Sequence, residues 1–491
     1  MNSVIITLPP PVAEASSRHT SDTSADFTAC SLDTLDLEKT GREDNHSVHP
    51  ETDAEDFKLP AKHPKHKRIF HLPVFSTHRR LIALTVVLNL ALLALGASLH
   101  WHDNLPAIGY LVISNITIAV LIRQQRIINL LFFLATCTKT RLPLRIRWML
   151  GKIYHFGGLH SACAVSATVW LLLFTISATA LRASRAVQSP SEILLFLTYM
   201  IDLLLVAIVI LALPRFRSKF HNTFEATHRF MGWSALLLVW IHTIFLIRDF
   251  KSPDQSMARA FFTSVSPYLL LLITVSIASP WLYLHKVPVT ITKPSTHAII
   301  VKFEGVKQTF PGSSSAISIA PLYEWHSFAN IPSPGSNGFR LVISRAGDWT
   351  SSVIDKPPSH FWVRGIPTAG VANMETLFHK VLYVATGSGI GPVLPHLLAK
   401  RVPSRLFWST RTPEQTYGHE LVTEIRNSSP DAVIHDTTAL GKPDMVKKAY
   451  QLCRESNAEA VIVISNQKLT RKVVYGMEAR GIPAFGAIWD S

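Results

Sequence analysis

Apolar residues gather in this chain into six long runs, at 81–101, 105–122, 153–181, 192–213, 230–247 and 262–284. A hydrocarbon core of about 30 Å takes roughly 20 helical residues to cross, and each run meets or nearly meets that length. Six such runs in series do not fit as the buried helices of a soluble core, so the pattern predicts a six-helix transmembrane bundle. An eleven-residue run at 127–137 is too short to span and is expected at the membrane interface. After Lys286 the period changes. Alternation at 287–291 and 298–303, then Gly- and Pro-rich turns, predicts short antiparallel strands. Continuous apolar runs at 381–385 and 460–464, with Phe407-Trp408 between them, predict buried parallel strands; helical patterns at 416–427 and 444–455 separate them. The expected order is a cytosolic tail (1–78), a six-helix transmembrane domain (79–285), a β-rich domain (286–375) and a doubly wound α/β domain (376–491).

Composition supports the membrane reading. Charged residues are 16% of the 491, against roughly 25% in an average soluble protein. The formal net charge of +15 is unevenly spread. Residues 1–57 hold twelve acidic and three basic side chains, too little apolar area to offset chain entropy, and are expected to be disordered. They show no apolar core behind a basic start, so no secretory signal is expected. Residues 58–80 then carry seven Lys or Arg directly before the first apolar run. That reads as a juxtamembrane stretch drawn to anionic lipid, not as a nucleic-acid arm. The flanks 58–80, 123–152 and 214–229 hold seven, seven and four Lys or Arg, and the opposite loops hold two and three. The positive-inside rule puts both termini in the cytosol of a multi-pass protein, with the plasma membrane as the expected location. Four scattered cysteines, Cys30, Cys137, Cys163 and Cys453, exclude a disulfide scaffold and a zinc spacing.

Ionisable residues inside apolar spans are costly and are candidates for function. The third run opens with Tyr154-His155-Phe156-Gly157-Gly158-Leu159-His160, and the fifth contains His228 and His242. Fourteen residues of helix bring His228 and His242 to nearly the same face, about 21 Å apart along the axis. Imidazoles at two depths suit axial ligation of haem iron, provided a facing helix supplies the second ligand. His155 or His160 can pair with His228 at the cytosolic end. For His242 the matching positions on the third run are Val169 and Phe174, which cannot ligate, so His242 joins the metal set only if another helix, at His100 or His102, completes it. At most one haem b per chain is expected. Hydrogen-bonded packing is the competing reading, and the stronger one for His242.

The α/β domain carries the sharper signal. Residues 381–386 form a strand that feeds Gly387-Ser388-Gly389-Ile390-Gly391-Pro392 and then a helix. Such a turn lets backbone amides approach a pyrophosphate at a helix N-terminus. The next strand ends in Trp408-Ser409-Thr410-Arg411-Thr412. Thr410 and Arg411 there suit an adenosine 2′-phosphate, which favours NADPH over NADH.

Upstream lie Trp325-His326-Ser327-Phe328-Ala329 and Arg345-Ala346-Gly347-Asp348-Trp349-Thr350. With these, the chain over 79–491 resembles the NADPH oxidase/ferric reductase superfamily, nearest to the fungal TmpA-type integral membrane flavoproteins. The resemblance implies FAD held by His326, Ser327, Phe328, Ala329, Arg345, Gly347, Asp348, Trp349 and Thr350, with Trp489 stacked on the flavin, and NAD(P)H held by 387–392 and 410–411. Three departures stand out. Ala329 replaces a hydroxyl residue, Ile464-Ser465-Asn466 replaces a Cys-Gly-Pro motif, and the outer haem ligand is missing. The expected function is a membrane-bound NAD(P)H-dependent flavoprotein oxidoreductase. It passes electrons through FAD to at most one cytosolic-side haem, or to another cytosolic or membrane acceptor. The alternative is a catalytically weakened regulatory membrane protein of fungi.

Overall fold

The computed structural model describes residues 57–64, 66, 75–101, 104–185, 188–306, 309–335, 337–487. The acidic tail, part of the basic stretch after it (65 and 67–74), His102 and Trp489 lie outside these residues. The helical part comprises α1 (Thr77–Ser98), α2 (Leu105–Leu121), α3 (Gln125–Thr136), α4 (Leu144–Leu150), α5 (Gly157–Ala183), α6 (Glu192–Leu211), α7 (Pro214–Lys219), α8 (His221–Phe250), α9 (Met257–Thr263) and α10 (Ser266–Leu282). By length and composition four helical segments can cross a membrane, or six if each bent pair, α2 with α3 (72°) and α9 with α10 (64°), counts as one span. Side chains such as Val87, Ile176, Phe196, Leu203 and Leu237 face outward and stay exposed. Apolar outward faces suit a lipid solvent, in which small polar groups rather than hydrophobic burial join helices. Asn89 does this: its carbonyl accepts from Asn115 Nδ2 at 3.1 Å and from Trp170 Nε1 at 2.9 Å.

The short run at 127–137 joins the bundle to the two sheet domains. As α3 it turns its buried face, Ile128, Phe132 and Ala135, into the core of the α/β domain, while Leu130, Phe133 and Leu134 on the other face are exposed. Asn129 locks it to the β-rich domain, donating to the Pro367 carbonyl and accepting from Ala369 N. α4 and the residues just after it dock the α/β domain through ion pairs, Arg147 with Glu459 and Lys152 with Glu478.

The β-rich domain is an eight-stranded, barrel-like antiparallel sheet in the order β4-β3-β7-β1-β2-β6-β5, with β8 paired to β3. Its strands are β1 (Leu284–Thr292), β2 (Ala298–Glu304), β3 (Ser313–Ser318), β4 (His326–Ala329), β5 (Ile331–Pro332), β6 (Gly338–Ser344), β7 (His360–Arg364) and β8 (Thr368–Ala369). Phe303, Phe339 and Phe361 fill its interior, as the alternation on β2 predicts. A short helix, α11 (Asp348–Asp355), follows β6.

The last domain is a five-stranded parallel sheet in the order β11-β10-β9-β12-β13, built from β9 (Val381–Thr386), β10 (Ser404–Thr410), β11 (Val433–Asp436), β12 (Ala460–Ile464) and β13 (Ala484–Gly486). Its helices are α12 (Ile390–Ala399), α13 (Pro413–Tyr417), α14 (His419–Ser428), α15 (Met445–Glu455) and α16 (Gln467–Glu478). The single helix expected at 416–427 is two, because Gly418 takes φ +89° between α13 and α14. Beneath α12, Glu375 accepts from Tyr383 Oη at 2.5 Å and pairs with His396 Nδ1 at 2.7 Å, all three buried.

Candidate functional site

In the parallel sheet the strand order reverses between β9 and β12, and the crevice beyond the carboxyl ends of such strands is where ligands bind. Here the two ends meet, with Thr386 Oγ1 2.5 Å from Ser465 Oγ. The glycine turn lies at that crevice and its glycines divide the work. Gly387 has φ +50°, and its carbonyl accepts from Trp408 Nε1 at 2.9 Å. A Cβ on Gly389 would collide with the Ile464 carbonyl, so this glycine is set by close packing on β12. Gly391 has ordinary room beside Val342, and Ser388 is half-buried. Ile390 is buried and Pro392 half-buried in the first turn of α12. At the end of β10, Thr410 is buried beside Tyr417. Arg411 is exposed. The turn that follows is fixed by Thr412, whose N–H donates to Asp436 Oδ1 at 3.0 Å.

Strand β4 and the loop before α11 bring part of the flavin motif together. The His326 and Trp349 rings stack at 4.0 Å, and the Phe328 ring lies 6.0 Å from Trp349. Trp349 Nε1 donates to Glu324 Oε1 at 2.6 Å, and His326 Nε2 lies 3.5 Å from Glu324 Oε2. Burial holds the His326 imidazole below its ordinary pKa, against the opposing pull of Glu324. Thr350 closes the loop by accepting from Ala346 N and Gly347 N. Arg345 turns away from His326; its guanidinium grips Asp355 and the Thr296 carbonyl. Ser327, Gly347 and Asp348 are exposed, and Ala329 pairs with Ser314 in the sheet. α12 packs against β4 and β5, so the flavin-motif strand and the glycine turn share one side of the molecule.

A cavity of about 1180 Å³ opens among α2, α5, α6, α8 and α10. His160 and His228 face each other across it, ring centroids 6.2 Å apart. His160 Nδ1 lies 2.9 Å from the Ala119 carbonyl. A carbonyl only accepts, so Nδ1 carries the proton and Nε2 keeps its lone pair. At the mouth stand Arg123, Arg217, Arg229 and, from β7 of the β-rich domain, Arg364. Gln467 and Arg471 of the α/β domain line it too. Burial, with the nearby Arg229, lowers the Arg364 pKa to about 10, and its guanidinium lies 4.2 Å over the Trp325 ring. From Trp325 ring contacts continue to Trp281 at 6.3 Å and to Trp233, a cavity residue, at 5.6 Å.

Between the two partners open for His228, the geometry selects His160. His155 sits in a 3-10 turn before α5 and stacks on Tyr154 at 4.5 Å. Fourteen residues further along both helices, Phe174 takes the place opposite His242, ring centroids 5.3 Å apart, and His242 Nε2 lies 3.0 Å from Thr198 Oγ1. A void of about 30 Å³ is found there. Sequence reasoning missed the arginines at the cavity mouth, the Trp325–Trp281–Trp233 contact chain and the buried Asp202. Of these only Asp202, a lone acid in an apolar run, carries a signal that the sequence alone displays.

A family model described as "Adenylate-forming reductase 03009, C-terminal domain" matches residues 371–491. Two relatives from Coprinopsis cinerea, adenylate-forming reductases 03009 and 06235, are 45% and 43% identical to this chain over 418 residues. In each case the match covers 85% of this chain and 40% of the relative, so the chain spans about 40% of the length of the curated relatives it matches. Among solved structures, a ferredoxin NADP+ reductase from Neisseria gonorrhoeae with bound FAD and NADP aligns at 12% identity and TM-score 0.34, over 42% of this chain and 98% of its own. A flavohemoglobin from Malassezia yamatoensis aligns at 12% identity and TM-score 0.36, over 79% of this chain and 97% of its own. These structural likenesses are distant.

Proposed function

We propose that this chain is a membrane-embedded NAD(P)H-dependent flavoprotein oxidoreductase that delivers electrons to the cavity between its helices. The observation that carries the reading is the shared lining of that cavity. Arg364 from the β-rich domain and Gln467 and Arg471 from the α/β domain line the same space as His160 and His228. The reductase names of the two relatives support the chemistry. The outward apolar helix faces and the basic flanks support a bilayer location with both termini in the cytosol, and the plasma membrane is the membrane we propose.

The residues around the cavity fit a haem. Two imidazoles that hold one metal ion at about 2 Å each need ring centres roughly 6 Å apart, as His160 and His228 have. The hydrogen bond to Ala119 fixes the His160 tautomer that leaves Nε2 free, the usual task of a ligand's outer partner. Arg123 and Arg217 at the mouth suit carboxylates on an otherwise apolar ligand. When bound, FAD would take hydride from the nicotinamide and a haem would accept single electrons. The chain's own part is positioning. The Thr386–Ser465 end of the crevice orients the nicotinamide, the β4 strand and Trp349 hold the flavin, and Arg411 stands where a 2′-phosphate is recognised. Purified protein should show flavin bands and a haem Soret band, and NADPH should bleach the flavin. Colourless protein would sink the reading. Arg411→Ala should weaken NADPH by about tenfold to a hundredfold and NADH little, because only NADPH loses a charge-assisted contact; equal loss would remove the 2′-phosphate assignment.

The relatives' printed names favour a second reading of the acceptor, in which the reduced substrate is one first activated as an adenylate. Oxidation of NADPH dependent on an added acyl adenylate would distinguish it from transfer to a haem alone.

A further inference from the structure

The end of the bundle away from the sheets holds ionisable groups that electron delivery leaves unused. Asp202 on α6 is 7% exposed and His242 on α8 is 6% exposed. The Thr175 hydroxyl on α5 is placed to donate both to the Leu171 carbonyl and to Asp202 Oδ2. One hydroxyl has one proton, so only two arrangements are possible. An ionised Asp202 accepts from Thr175, or a protonated Asp202 donates to Thr175, which then donates to Leu171. The same backbone geometry serves both forms. Asp202 Oδ1 is buried with no hydrogen-bond partner among the described residues. One turn away on α6, the Thr198 hydroxyl donates to the Leu194 carbonyl at 2.7 Å, so it can only accept from His242 Nε2.

This site adjoins the cavity. Leu205, three residues beyond Asp202, lines the cavity, and Ile113 and Val239 line both the cavity and the void of about 30 Å³ beside His242. Thr243 and Ser266 also border that otherwise mainly apolar void, which is large enough for a water molecule. The other ionisable groups on the surrounding helices lie elsewhere. Arg182–Glu192 and Arg248–Asp249 pair at the far end. His78, Arg79, Arg80, His160, His221, Glu225, His228 and Arg229 lie toward the opposite end of α1, α5 and α8, and Arg259 lies on α9. α2 and α10 contribute only Tyr110 and Tyr268, α5 adds Cys163, and α6 adds the exposed Tyr199, whose hydroxyl lies 2.7 Å from Thr179 Oγ1.

We propose that Asp202 and His242, seated on Thr175 and Thr198, form a protonatable site coupled to the charge of the cavity, in place of a second electron site. The inference rests on the reading that electrons enter the cavity. An electron that arrives there from NAD(P)H by way of the flavin raises the affinity of Asp202 for a proton, which it takes from water by way of the same void. When the electron leaves to a one-electron acceptor, the Asp202 O–H bond breaks and the proton departs through His242 and the void. By helix rise, Asp202 on Thr175 lies about 20 Å from the level of His160; a unit charge there, in protein of moderate dielectric, shifts such a group by roughly half a pH unit, enough to change its occupancy.

Infrared difference spectra of the purified full chain test this, first between acid and alkaline pH and then between electrochemically reduced and oxidised states. The expected result is a carboxylic-acid C=O band that shifts in heavy water, is lost in Asp202→Asn and grows on reduction. His242→Gln should slow its exchange with heavy water. If Asp202→Asn does not accumulate, Thr175→Val must shift the same band. A pH-difference spectrum with no band assignable to Asp202 overturns the site. A band present with pH but absent from the redox difference overturns the coupling. If no haem copurifies, the coupling fails with the electron reading, while the pH-difference band still decides whether the site exists.

Discussion

The two halves of the helical bundle are built on one register and have opposite contents. Toward the sheets, His160 and His228 stand 6.2 Å apart across a cavity of about 1180 Å³. Fourteen residues along the same two helices, Phe174 and His242 touch at 5.3 Å beside a void of about 30 Å³. Helix geometry repeats the pair and a single side chain decides what the repeat can do. Where both positions are imidazoles and small residues such as Ala164 and Ala167 line the wall, a ligand fits. Where one is a phenyl ring the helices close, and His242 spends its Nε2 proton on Thr198. Arginines line the cavity of the first half, where the β-rich and α/β domains meet the bundle, whereas Arg182 and Arg248 of the far half pair with Glu192 and Asp249.

Substitutions can break this comparison or sharpen it. The largest effect is expected from His160→Ala, which should abolish the Soret band entirely while FAD remains; His155→Ala should leave the band in place. The reverse outcome would reassign the ligand to the 3-10 turn before α5. A smaller effect is expected from Phe174→His. It restores an imidazole opposite His242 but not the space, so haem content should stay unchanged. A gain of a second equivalent would show that the phenyl ring alone, and not the packing, separates the halves.

The smallest effect concerns the strand that feeds the near half. Burial keeps the His326 pKa below its ordinary value, so the folded chain resists taking a proton that the unfolded chain accepts. Between that lowered value and about 6.5 the unfolded state binds more protons, and stability therefore rises with pH. Melting temperatures from roughly pH 8 down to 5.5 should fall as pH drops through this window, and His326→Gln should flatten the fall. An unchanged slope in that variant would place the titration elsewhere.

Much of this was legible in the chain. The six apolar runs, the change to period two after Lys286 and the strand–glycine–helix unit at 381–400 all reappear as elements, because each follows from local patterning. So does the far half: counting fourteen from His160 reaches Phe174, and a regular helix makes that count a contact. Other features were not readable. His155 and His160 are equivalent in a helical projection, and only the 3-10 turn at Ile153–Phe156 separates them. The run at 127–137 has the composition of an interfacial helix, yet its inner face packs on residues more than 240 positions away, such as Phe378 and Val381. The burial of Thr410 beside Tyr417 comes from the turn after β10 and not from the strand's own pattern. Arg364, on a strand of another domain, reaches the bundle cavity through tertiary docking that no local pattern encodes.

The ratio of haem to polypeptide in the purified full chain, measured as the pyridine haemochrome beside protein and flavin, tests the central claim most directly. One haem per chain is expected in the wild type, none in His228→Ala, and one still in His242→Ala. Two haems per chain, with one lost on His242→Ala, would mean that the far half is a site despite Phe174. No haem in the wild type, with FAD present, would mean that the imidazole pair facing the cavity serves some other ligand.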